Sequence, residues 1–235
     1  MCNECRTFAR FYCLLTAAFF TQAIIMLAIY TPTEATMGPI QKIFYVHLPS
    51  AIATFLACLV CFVASVAYAW HRDARWDRLA SSSARVAVVF CSIVLLTGML
   101  WGRSAWGQWW TWSPRLTFSL VLWLLYVVYL MIRASVESPQ RRAIIAAVYA
   151  IVAFLDVPLV YLSTRLMPDI HPVSVQLAGS MRITLIAWFV PVLMLAAGAV
   201  TAIYRREHRL AECRAAVEQA APAAPARMNW IGGAS

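Results

Sequence analysis

Apolar positions along this chain come in long unbroken runs, not in the alternating or three-and-four spacings of half-buried soluble elements. Six runs stand out: residues 11–30, 46–70, 84–100, 116–132, 143–162 and 183–204. A helix that crosses a bilayer needs about 20 apolar residues. Backbone in lipid must satisfy its own hydrogen bonds, so only helices and closed barrels can span. The run lengths select helices, and the predicted fold is an all-α integral membrane protein with six transmembrane helices. The first run is too long for the apolar part of a secretory leader, and TPTEATMGPI offers no small-x-small cleavage pattern after it. It is expected to be retained as a span.

Between the runs, HRDARWDRLASSS and RASVESPQRRA are charged and serine-rich and are predicted to be solvated loops. Residues 1–209 are expected to form one six-span domain, with a tryptophan-rich loop at 101–117. Residues 210–235, with their AAPAAPA stretch, are predicted to be a disordered tail.

Composition sharpens this picture. The 235 residues are 63% hydrophobic and 12% charged, where soluble domains carry about a quarter charged residues. The net charge of +9 points away from nucleic acid once its distribution is seen. Arg6 and Arg10 precede the first span, and Arg72, Arg75, Arg78 and Arg85 follow the second. Arg133, Arg141 and Arg142 follow the fourth; Arg205, Arg206, Arg209, Arg214 and Arg227 follow the sixth. Fourteen of the 19 basic residues thus share one side. The positive-inside rule makes that side cytoplasmic, with both termini inside, and the predicted location is a bacterial inner membrane. The opposite side holds Lys42, Arg103, Arg115, Arg165 and Arg182.

None of the seven cysteines falls in an external loop on this topology, so no disulfide framework is expected. Cys2/Cys5 and Cys58/Cys61 have C-x-x-C spacing, but no second pair or histidine follows at zinc-site distance. There is no phosphate-binding loop, and no nucleophile–base pair, carboxylate dyad or HExxH motif. The chain is not expected to be an enzyme.

The chemistry concentrates elsewhere. Five of the ten tryptophans, Trp101, Trp106, Trp109, Trp110 and Trp112, fall in WGRSAWGQWWTWSPRLT. Gly102, Gly107 and Pro114 are expected to break any regular element there. A belt of indoles at the headgroups accounts for two or three of them, but hardly five in one loop. A flat apolar partner accounts for more. On the same side, His47 opens the second span in FYVHLPSA, with Pro49 expected in the first helical turn, and His171 precedes the sixth span in PDIHPVSV. Either histidine alone is an ordinary interfacial anchor. Together, flanking an aromatic loop, they match a haem, whose iron accepts two axial imidazoles and whose ring needs an apolar bed. Arg103 and Arg115, with Arg165 and Arg182, could meet its propionates. His71 and His208 lie among arginines on the other side. Asp156, in AFLDVPLVY, is either a polar residue on the haem path or a carboxyl at a kink set by Pro158.

These segments resemble a known family. WGRSAWGQWWTWSPRLT is similar to the W-G-x-x-x-W-G-x-W-W-x-W-D signature of haem-handling proteins, and FYVHLPSA to the histidine segment preceding it. DVPLVYLSTR and IHPVSV resemble the region of the second histidine. The cytochrome c maturation protein C family (CcmC, a component of the haem exporter) fits best, over about 41–182. Ser113 stands where that family has an aspartate, and Leu166, Met167 and Pro168 where it has an aromatic pair.

The resemblance implies haem b held transiently and non-covalently by His47 and His171 over the tryptophans on the periplasmic face. It implies handover to a CcmE-like haem chaperone, beside CcmA/CcmB-like components of an ABC exporter and a small CcmD-like protein. Rival readings are the haem channel of a cytochrome c synthase, a membrane cytochrome b, and a permease whose tryptophans form a belt. The first calls for more spans and histidines, and the second for histidine pairs within spans.

Overall fold

The structure is a computed structural model and describes residues 3–166 and 177–220. It is all-helical apart from one isolated bridge between Glu34 and Gly38. Helix α1 (Asn3–Ile25) runs into a wider π-helical turn, Met26–Tyr30. A short 3-10 turn, Pro39–Ile43, leads into α2 (Phe44–His71). Then follow α3 (Ala74–Trp106), α4 (Pro114–Ser135), α5 (Pro139–Ala153), α6 (Asp156–Leu166) and α7 (Gly179–Ala220). Six helical stretches are long and apolar enough to cross a membrane, with α5 and α6 together forming one of them.

All six expected spans are present, but most helices outrun their apolar runs. The solvated loop expected after α2 shrinks to Arg72 and Asp73. Arg72 takes the left-handed conformation (φ 57°), its N–H bonding to the carbonyl of Tyr68 at 2.9 Å. Asp73 caps α3 by accepting from the backbone N–H of Arg75 at 2.8 Å. Hydrogen bonds from Arg75 also hold the Asp73 carboxyl below its ordinary range. The serines expected in that loop are helical instead. Ser81, Ser82 and Ser83 are buried, because small side chains let neighbouring helices approach closely. The tail expected to be disordered from residue 210 continues α7 as far as Ala220, since AECRAAVEQA is rich in strong helix formers. Residues 221–235 lie outside the described residues.

The central pair is α2 and α3. On α2 the buried positions Ser50, Ala53, Thr54, Ala57, Cys58, Cys61, Ala64, Ser65 and Tyr68 recur at helical spacing. α3, which packs along α2, buries Ala80, Ala84, Ala87 and Cys91, while Leu56, Leu59, Val60 and Val63 are exposed on the outer face of α2. Polar groups pin the surrounding helices. Trp123 of α4 donates to Ser92 of α3 at 2.8 Å, and Tyr12 of α1 to the carbonyl of Met194 on α7 at 2.6 Å. Thr31 donates to Thr184 at 2.9 Å.

The arginine-rich ends gather at one end of the bundle. Arg133 at the end of α4 grips both carboxylate oxygens of Asp77 in the first turn of α3, its Nη2 at 2.9 Å from Oδ2. Glu207 of α7 meets Arg85 of α3 at 2.7 Å.

The fifth span is broken, as Pro158 predicted. The ring cannot follow a helical Phe154 carbonyl without clashing, and α5 stops at Ala153. Shorter bonds take over: Leu155 N–H to Val152 O at 3.1 Å and Val157 N–H to Phe154 O at 3.0 Å. Phe154 stacks on Phe62 of α2, centroids 4.5 Å apart. Asp156 opens α6 and is buried, with Oδ2 unpartnered among the described residues.

Candidate functional site

At the end of the bundle opposite the arginines, α2, α3, α4 and α6 enclose a groove of about 930 Å³, counting its open mouth. His47, Ala51, Thr54 and Phe55 line it from α2, one helical face. Cys91, Val94, Leu95, Gly98, Met99, Trp101, Gly102 and Trp106 line it from α3. Gln108, Trp109, Trp110 and Thr111 close the mouth, Arg115, Leu116, Ser119 and Leu122 come from α4, and Val160 from α6.

The tryptophan segment is only partly a loop. Trp101 through Trp106 are the last turns of α3, and Gly102 does not interrupt them; it packs where a Cβ would stand 3.2 Å from the carbonyl of Gln108. The helix ends instead at Gly107 (φ 75°), whose N–H bonds to the carbonyl of Arg103 at 3.1 Å. Pro114 then starts α4 as its first helical residue. The irregular part is therefore 107–113, narrower than the expected 101–117. Pro49 likewise lies inside α2, beyond its first turn, because the helix begins at Phe44.

The tryptophans fall into two sets. Trp101 is 4% exposed and meets Phe44 and His47 edge-on, centroids 5.9 and 6.0 Å apart. It forms the rigid floor. Trp106, Trp109 and Trp110 stand on the rim; Trp109 is 54% exposed, with the Arg103 guanidinium 5.9 Å from its ring centroid. Trp112 is 76% exposed and not on the wall; it reaches the groove only through an edge contact with Trp110 at 5.8 Å.

Polar groups are few and convergent. His47 Nδ1 lies 2.9 Å from Thr97 Oγ1. Arg115 lines the groove from the first turn of α4. Trp110 Nε1 and Thr111 Oγ1 are buried and unpartnered among the described residues. Arg103 is not on the wall; its Nη1 donates to the Gly107 carbonyl and so braces the rim. Arg165 is exposed over Tyr161, and Arg182 is exposed on α7. His171 lies outside the described residues. Asp156 is not on the wall; Val160, one turn along α6, is.

Away from the groove, His208 faces Glu212 at 3.3 Å, and His71 ends α2. Cys58, Cys61 and Cys91 are buried free thiols, Cys13 and Cys213 exposed ones, and the described residues hold no cluster fit for a metal ion.

Sequence reasoning missed Thr97, Gly98, Thr54, Ser119 and Val160. Each is an ordinary span residue, and only the rotational phase of its helix puts it on the wall.

A family model described as heme exporter protein C matches residues 2–225. The heme exporter protein C of Bradyrhizobium diazoefficiens is 31% identical over 180 residues, 74% of this chain and 68% of that one. That of Rhodobacter capsulatus is 34% identical over 123 residues, 52% of this chain and 51% of the relative. That of Escherichia coli K12 is 26% identical over 152 residues, 64% and 62% of the two chains. The chain spans between about half and two thirds of the length of these curated relatives. It belongs to the heme exporter protein C family.

Proposed function

We propose that this chain binds haem b transiently and without a covalent link in the groove, and delivers it to a haem chaperone during c-type cytochrome biogenesis. The observation that carries this reading is the convergence of His47, four tryptophans and Arg115 on one apolar cavity. That donor set fits haem. The cargo brings an iron with two axial positions, a flat apolar ring and two carboxylates, and the groove offers a counterpart to each.

His47 is the first axial ligand and His171 the second. Trp101 supplies the floor, and Trp106, Trp109 and Trp110 supply faces and edges for the ring. Arg115, with the unpartnered donors of Trp110 and Thr111, meets the carboxylates. Arg103 serves the same end indirectly by holding the rim at Gly107. Trp112, exposed and off the wall, is read separately as an anchor to headgroups or to a partner.

The clustering of arginines at the far end of the bundle supports cytoplasmic termini and a periplasmic groove in a bacterial inner membrane. A CcmE-like chaperone would then approach from the periplasm, beside CcmA/CcmB-like and CcmD-like partners. Beyond reversible coordination of the iron no bond need form between chain and cargo, so the role is transfer rather than catalysis.

The test is an absorption spectrum of the purified full chain titrated with hemin. The expected result is a Soret band with a bis-imidazole signature that His47→Ala changes. No Soret shift in the wild-type chain overturns the reading and leaves a permease with an indole belt.

A further inference from the structure

Thr97 projects from α3 toward α2. Its Oγ1 lies 2.9 Å from His47 Nδ1 and 2.6 Å from the backbone carbonyl oxygen of Ile93, one helical turn back. A threonine hydroxyl has a single proton to give. Two oxygens 2.6 Å apart repel unless a proton lies between them, and a carbonyl has none. The hydroxyl proton therefore goes to Ile93. The contact with His47 must then run the other way: the imidazole donates its Nδ1–H and Thr97 accepts. A neutral imidazole carries one N–H, so Nε2 holds the lone pair.

We propose that Thr97 is a positioning residue that fixes His47 in the Nδ1–H tautomer, so that this groove-lining ring offers Nε2 as its metal-donor atom. Two neighbours on α3 lie beside the same ring. Trp101 stands edge-on to it, and Gly98 brings no side chain against it; a Cβ there would sit 3.4 Å from Cε1. Residues 97, 98 and 101 share one helical face, so a single helix sets tautomer, tilt and clearance together. Metal-binding histidines commonly give their second N–H to an acceptor, and loss of that acceptor typically costs about 10–100-fold in affinity. A hydroxyl is a weaker acceptor than a carboxylate and makes the imidazole less basic, which suits a cargo that must leave again.

The tautomer stands on geometry alone; its use in metal binding rests on the proposed function, and the two can fail separately. The first measurement is nitrogen NMR of the haem-free full chain labelled with 15N-histidine in detergent, the His47 signals being assigned by their loss in His47→Gln. Wild type and Thr97→Ser should show a protonated Nδ1 and an unprotonated Nε2. Thr97→Val, which keeps the branched shape but removes the acceptor, should show mixed tautomers. The second measurement is hemin titration of the same proteins, with affinity about tenfold lower in Thr97→Val and restored in Thr97→Ser. A wild-type His47 protonated at Nε2, or a tautomer unchanged in Thr97→Val, overturns the proposal. So does the expected NMR pattern with equal hemin affinity in all three. If the NMR pattern is as expected but hemin binds none of them, the tautomer assignment stands and the haem reading falls.

Discussion

The imidazole of His47 stands edge-on to the indole of Trp101, ring centroids 6.0 Å apart and planes at 78°. One ring comes from the start of α2 and the other from the end of α3, so the contact exists only when the two helices pack in register. Trp101 is buried and cannot swing away. His47→Ala is therefore expected to lower hemin affinity by at least about tenfold while leaving the helical fold intact. His171→Ala should act in the same direction. His71→Ala and His208→Ala, at the opposite end, should leave the Soret titration unchanged, and equal loss in all four would place the site wrongly.

The tryptophans should respond in order of position. Trp→Ala at Trp101, Trp106, Trp109 or Trp110 removes part of the groove wall, whereas Trp→Phe keeps a ring; each aromatic pair is worth on the order of 1 kcal/mol beyond area. Alanine variants on the wall should lower hemin affinity several-fold, phenylalanine variants less. Trp112→Ala should have the smallest effect on haem bound per mole of protein. If all five alanine variants keep full haem and only their yield falls, the indoles are anchors and not a binding surface.

Asp77 and Arg133 form the half-buried ion pair that ties α3 to α4, with side-chain exposures of 15% and 12%. Removing one partner strands a charge, at a typical cost of about 3–5 kcal/mol. Arg133→Met alone should lower the thermal midpoint in detergent markedly. Asp77→Leu with Arg133→Met should recover most of the loss. A double variant as unstable as the single would mean that the pair does more than neutralise itself.

Ser113 precedes α4 with an extended backbone, yet its hydroxyl is buried and caps nothing among the described residues. A carboxylate there would meet the positive end of the helix and accept from its first N–H groups. Ser113→Asp should raise stability by about 0.5–1 kcal/mol, read as a higher midpoint in the same melt. A drop would show that the surrounding pocket cannot hold the charge.

Orientation is checked with fusions. A reporter active only outside the cytoplasm should be silent after Tyr204 and active at Gln108. The reverse pattern would put the groove on the cytoplasmic side and remove the periplasmic delivery step.

The spans were legible because lipid demands long apolar runs, and the break in the fifth because Pro158 has no N–H to give. Helix ends were not. Polar residues past the hydrocarbon layer stay helical when they pack, as Ser81–Ser83 do, or when they favour helix intrinsically, as 210–220 do. Gly102 was misjudged for a related reason: in α3 it is a point of close approach, not a breaker. The site was legible in part. Four of the five tryptophans, His47 and Arg115 announced themselves by type and clustering. Thr97 did not, because threonine is common in spans and its partner lies 50 residues away. Its meaning depends on how two helices are rotated against each other, which no local pattern carries.

The interruption at Phe154–Leu155 bears on how such a groove can change width. Spreading walls made of continuous helix means tearing i→i+4 bonds inside lipid, where nothing replaces them. α2, α3 and α4 are continuous helix along the stretches that line the groove, Pro49 of α2 omitting one bond, and are walls of that kind. α6 is different: its bonds to α5 are already the shorter ones, Leu155 to Val152 and Val157 to Phe154. Val160 thus rides on a segment joined to its span at Phe154–Leu155 by those shorter bonds, where fewer i→i+4 bonds would have to break for the wall to shift. Three sides of the enclosure are continuous helix, and the fourth is jointed.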